Sequence, residues 1–150
     1  ANVATYEAGF QNTGYFVQKY APTIEFYSTI GGDPVLNYSY NYIEIRLADT
    51  YLMEAEALVR GGGDATKAQF YLDKVRERVG LPSVPATLDN IYKERRLELA
   101  TEGHRFFDLV RTGQAATALA SKGFTANKNE ILPIPLAELA NTKLVQNPGY

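Results

Sequence analysis

The sequence predicts a mainly α-helical chain whose N-terminal third is rich in loops and holds little strand. Three observations lead there. From Leu47 onward apolar residues recur every three or four positions. Glycines and prolines interrupt the first 42 residues every few positions, and aromatic residues crowd that segment while charged ones avoid it. Tyr6, Phe10, Tyr15, Phe16, Tyr20, Phe26, Tyr27, Tyr38, Tyr40 and Tyr42 stand there against four charges, Glu7, Lys19, Glu25 and Asp33. Broken by Gly9, Gly14, Pro22, Gly31, Gly32 and Pro34, the segment is read as loops with short extended pieces that pack on a larger scaffold.

The helical part follows in order. Leu47, Tyr51, Leu52, Ala55, Leu58 and Val59 form one amphipathic stripe, and Gly61–Gly63 end it, because glycine accepts the left-handed conformation past a helix end. Asp64 is placed to cap a second helix with the stripe Ala68, Tyr71, Leu72, Val75 and Val79, closed by Gly80 and Pro82. A short glycine link between two such helices makes an antiparallel hairpin. After the connector "LPSVPAT", Thr87 or Asp89 caps a third helix containing "ERRLELATEGHRFFDLVRTG", with a break or bend at Gly103. A further helix is expected over about residues 114–121, ended by Gly123, and a short one with Pro135 in its first turn. The tail "LVQNPGY" reads as coil.

Composition narrows the function. A chain of 150 residues suits one domain with a sizeable core. A net charge of −2 and a pI near 5.5 argue against nucleic-acid binding. No apolar run approaches the roughly 18 residues that span a bilayer, and the N-terminus lacks a signal-peptide pattern. With no cysteine and His104 as the single histidine, thiolate chemistry is excluded and zinc is improbable, so no cofactor is expected.

The segment Glu94–Gly113 carries nine ionisable side chains among leucines and phenylalanines. Arg95 and Glu98, Glu102 and Arg105, Arg105 and Asp108, and Asp108 and Arg111 are three apart, a ladder of alternating charge along one helix line. Leu88, Ile91, Leu99, Phe106 and Leu109 lie beside it, and Leu97, Ala100, Phe107 and Val110 take much of the rest. Arg95 or Arg96, Glu102, Arg105 and Asp108 are therefore expected to be buried and paired, a role that suits the planar guanidinium. A catalytic reading would use Glu102, His104 and Asp108, but it has neither nucleophile nor metal, and a structural ion-pair network is preferred. Glu54 and Glu56, two apart, face away from each other and do not make a glycosidase pair.

The same stretch resembles the C-terminal signature of the SusD/RagB family of outer-membrane nutrient-binding lipoproteins, here Glu94, Arg95, Arg96, Glu102, Gly103, His104, Arg105 and Asp108, with Arg46 as a signature residue upstream. "EIRLADTYLMEAEALVRGG", "LDKVRERVGLP" and "NEILPIPLAEL…QNPGY" are similar to family segments in the same order. The resemblance covers residues 44–150 well and the aromatic, loop-rich segment 1–43 only in general character. It implies a tetratricopeptide-like α-α superhelix, of which this chain would be a C-terminal portion, and a non-enzymatic protein on the external face of the outer membrane. It implies a lipid anchor upstream of these residues, a SusC-like TonB-dependent transporter as partner, and an oligosaccharide or other nutrient as ligand. A tetratricopeptide adaptor binding peptide tails is the alternative, although no second copy appears at a spacing of about 34 residues. Within this chain "YSTIGGDPVLNYSYNY" is the best ligand candidate: Tyr27, Asn37, Tyr38 and Tyr40 combine flat faces with polar tips around a turn. Tyrosines alternating along an extended piece that packs on the helices are the plainer account.

Overall fold

The computed structural model describes residues 9–10, 12–15, 17–21, 23–33, 37, 39 and 41–150. The chain divides into two compact units, Ala1–Glu44 and Ile45–Tyr150. Among the described residues of the first, one 3₁₀ turn, Ile24–Phe26, leads into an isolated bridge at Tyr27.

The second unit is helical. α1 (Leu47–Gly61) and α2 (Ala65–Glu77) form the hairpin. Gly62 takes φ 66°, and its N–H donates to the Leu58 carbonyl, which ends α1. The Asp64 carboxylate accepts the N–H groups of Thr66 and Lys67 at 2.8 and 3.1 Å and so starts α2. Leu52 and Ala55 of α1, Leu72 and Val75 of α2 and Ile91 of α3 (Leu88–Glu98) make the core cluster. α2 stops two residues before Val79, which is consequently exposed rather than part of the stripe.

The Thr87 hydroxyl accepts the Asn90 N–H and caps α3. The connector before it is pinned by Gln69, whose amide donates to the Val84 carbonyl at 2.8 Å and accepts the Ala86 N–H at 2.8 Å. The charged stretch is two helices rather than one bent helix. α3 ends at Glu98, and α4 (Arg105–Arg111) begins after a turn in which Thr101 and Gly103 take φ 71° and 83°. Leu97 of α3 and Phe107 of α4 are exposed, while Leu99 and Leu109 are buried. α5 (Ala115–Ala118) is shorter than expected, continuing as a 3₁₀ turn to Lys122 before Gly123 at φ 82°. Pro135 stands just before α6 (Leu136–Leu139) as its N-cap, one position outside the first turn. The coil tail is tied back: Gln146 accepts the Ile134 N–H and donates to its carbonyl, and the Tyr150 hydroxyl donates to the Ile131 carbonyl. Ile45, Leu47, Met53 and Phe70 leave apolar surface open around the first two helices.

Candidate functional site

Two places draw the functional residues together. The first is the loop at Tyr27. The Ser28 N–H donates to the Asn37 carbonyl at 2.9 Å and the Ser39 N–H to the Phe26 carbonyl at 3.1 Å, so Phe26 and Ser28 pair antiparallel with Ser39 and Asn37. Gly31 and Gly32, at φ 57° and 77°, let the chain reverse between them. The Asn37 side-chain amide donates to the Gly31 carbonyl at 3.4 Å and to Ser28 Oγ at 3.5 Å, so it holds the reversal together. Asn37 is exposed and Tyr27 half-buried; Tyr38 and Tyr40 lie outside the described residues. Tyr42, 74% exposed, stacks on Tyr20 with ring centroids 6.0 Å apart and 14° between planes. Tyr42 is the exposed member of this stack, with Tyr20 half-buried, and no local pattern announces the pair, since 22 positions separate its members.

The second place is the charged turn between α3 and α4. Arg95 is 4% exposed and joins three helices. Its Nη1 donates to Asp49 of α1 at 2.7 Å and its Nε to the Asp108 carboxylate of α4 at 3.1 and 3.2 Å. Asp108 also accepts from Arg111, and Arg111 donates both Nη groups to Glu56 of α1 at 2.6 and 2.8 Å. Asp49 and Glu56 lie seven apart on one face of α1, so the chain of charges closes on itself. A second group surrounds Arg46, which donates to the Glu98 carboxylate and carbonyl and to both carboxylate oxygens of Glu102. Its hydrogen bonds to Glu102 outweigh burial and hold the Arg46 guanidinium more firmly protonated than an ordinary arginine. Arg76 of α2 donates to buried Glu94 of α3.

The expected ladder is thus largely replaced by tertiary pairs. Only Asp108–Arg111 survives as a local ion pair among the four. Arg95 turns inward, away from Glu98, and the break places Glu102 in the turn, where it meets Arg46 instead of Arg105. Arg105 is exposed, contrary to expectation, and Arg96 is exposed too. His104 precedes α4 and makes no side-chain cap. The Asp108 carboxylate is taken by two arginines, and its backbone N–H donates to the His104 carbonyl at 3.0 Å, an arrangement without an acid–base dyad. Glu54 reaches Lys67 while Glu56 is buried against Arg111, so the two acids do face apart.

Glu56 gives these pairs a pH signature. Burial pushes its carboxyl up, but hydrogen bonds and charge from Arg111, helped by Arg60, outweigh that and hold it below its ordinary 4.5. Its folded pKa is the lower one, so its stabilisation is present above about pH 4.5 and fades as pH falls further. Glu56→Gln is expected to lose about 1–2 kcal/mol at pH 7, less than a fully buried pair because its partners reach solvent. The same variant should show a flatter decline of thermal midpoint between about pH 5 and 3; parallel acid limbs for both proteins would refute the assignment.

The family model described as the SusD family matches residues 2–150. SusD-like protein P25 of Formosa agariphila is 39% identical over 143 residues, covering 81% of this chain and 27% of that protein. A solved laminarin binding SusD-like protein is 61% identical and superposes with TM-score 0.87 over 97% of this chain and 31% of its own. Surface glycan-binding protein A from Bacteroides thetaiotaomicron, solved in complex with laminarihexaose, is 39% identical with TM-score 0.67, covering 78% of this chain and 27% of that one. The chain therefore spans under a third of the length of these proteins. Its helices have the tetratricopeptide-like fold of SusD-like proteins, and the matched model extends through the aromatic segment as well as the charged turn. The chain belongs to the SusD family.

Proposed function

We propose that the chain is part of a non-enzymatic cell-surface protein that captures oligosaccharides, β-glucans of the laminarin type being the class favoured. The observation that carries this reading is the likeness, along nearly the whole chain, to a laminarin binding SusD-like protein. In this reading the protein sits on the external face of the outer membrane, held by a lipid anchor upstream of these residues. It hands its ligand to a SusC-like TonB-dependent transporter.

Tyr27, Asn37, Tyr38 and Tyr40 are the proposed glycan contacts in this part of the protein. The exposed Tyr42 ring, stacked on half-buried Tyr20, supports that placement, because a flat ring with a polar tip matches the C–H faces and hydroxyls of sugar rings. The turn held by Asn37 gives such contacts a fixed base. Tyr27→Ala combined with Tyr38→Ala in the full-length protein is expected to weaken laminarihexaose binding by about tenfold, near 1.4 kcal/mol. Titration calorimetry reads this, and analysis of the recovered sugar should find no cleavage. Undiminished affinity would remove this loop from the site. Failure of the unaltered protein to bind laminarin would remove the glucan assignment.

A further inference from the structure

All eight arginines lie between residues 46 and 111, and six of them donate to carboxylates: Arg46, Arg60, Arg76, Arg78, Arg95 and Arg111. The other two, Arg96 and Arg105, make no hydrogen bond to a described residue, yet they line the same cleft. Asp89, Tyr92, Lys93 and Arg96 occupy one face of α3 at helical spacing, Arg105 opens α4, and Gln114 precedes α5. The opposite face of α3 carries buried Ile91, Glu94 and Arg95. Three cations therefore meet one carboxylate in a cleft of about 190 Å³. That lies below the roughly 300–1,000 Å³ of sites for drug-sized ligands and suits a small charged group.

We propose that this cleft binds an oxyanion, a sulfate or carboxylate, with Arg96 and Arg105 as its paired donors. Planar guanidinium groups match such oxygens two at a time. The Tyr92 hydroxyl accepts from Arg60, which leaves its own proton free to donate, and Gln114 also lines the cleft. Partial desolvation and the neighbouring Arg96 disfavour the charge on Arg105 more than Asp108 favours it, and a bound anion would add to the favourable side. The anion is either a free ion or a substituent on a sugar, and the proposal stands apart from the glucan reading because a free ion tests it alone.

The full-length protein is titrated with inorganic sulfate, glucuronate, glucose 6-sulfate and glucose, followed by calorimetry and by amide shifts of residues 89–96 and 105–114. Saturable binding of the anions near 1 mM is expected, absent for glucose and weakened by added chloride. Arg96→Gln with Arg105→Gln should reduce anion affinity at least tenfold with an unchanged melting temperature, since neither side chain holds the fold together. Laminarihexaose binding, measured in parallel, should be unaffected. Tighter binding of glucose 6-sulfate than of sulfate assigns the sugar-borne source, and equal affinities assign the free ion. Equal anion binding by the double variant and the unaltered protein overturns the proposal, as does a lack of saturable binding by every anion.

Discussion

Arg95→Met is expected to destabilise the protein by about 3–5 kcal/mol, the range for breaking a buried ion pair by removing one partner. The reason is geometric. Arg95 supplies the hydrogen bond to Asp49, whose side chain is 7% exposed, and two more to Asp108. Asp108 keeps Arg111 when Arg95 is lost, but Asp49 is left as a carboxylate in a place that water barely reaches. Arg95→Lys should fall between, because an ammonium delivers its charge without the fork that serves two carboxylates at once. Urea unfolding reads the effect as a lower midpoint at constant slope. Adding Asp49→Leu to Arg95→Met should recover part of the loss, since an apolar pair of similar volume removes the stranded charge. A loss under about 1 kcal/mol for Arg95→Met, the scale of surface pairs, would mean that the site is wet and that the Arg95 ion pairs do not hold the helices together.

Local signals in the sequence were enough for the helical frame. The triple glycine ends α1 and Asp64 caps α2, because both act over three or four residues, within reach of any spacing argument. Val79 shows the limit: it keeps the apolar period, but Gly80 and Pro82 halt α2 first. The charged stretch shows it more strongly. Its signs alternate at helical spacing, yet Thr101 and Gly103 reverse the backbone, and a ladder requires one unbroken helix. The acids that Arg95 and Arg111 use, Asp49 and Glu56, lie 46 and 55 residues away. No periodicity within a window reports a partner that distant.

The ligand side was less legible for a related reason. Aromatic crowding in the first 42 residues marks a surface worth inspecting, but composition does not say which rings meet. The Tyr20–Tyr42 stack joins rings 22 positions apart, and Asn37 directs its amide N–H groups to Gly31 and Ser28, contacts that no local pattern predicts. Arg96 and Arg105 illustrate the converse. They look like members of the ladder in sequence and become cations of a separate cleft, with no hydrogen bond to a described residue, once their neighbours have found tertiary partners.

Leu52→Ala is the second large effect, at about 3–4 kcal/mol. Leu52 is fully buried at the contact of α1 with both α2 and α3, among Ala55, Leu72, Val75 and Ile91. Alanine favours a helix at least as well as leucine, so the loss reports packing and the cavity left behind. Met53, its neighbour at 47% exposure, is the control: Met53→Ala should change stability by less than about 0.5 kcal/mol. Leu52 also lies three residues after Asp49 and four before Glu56 on the face of α1 that carries both acids. The same side of one helix therefore holds the apolar cluster and the two anchors of the charge network. Leu52→Ala and Arg95→Met should consequently not add: the double variant is expected to depart from the sum by more than about 0.5 kcal/mol. Strict additivity would show that charge and packing act on α1 independently, and the shared face would then carry no coupling.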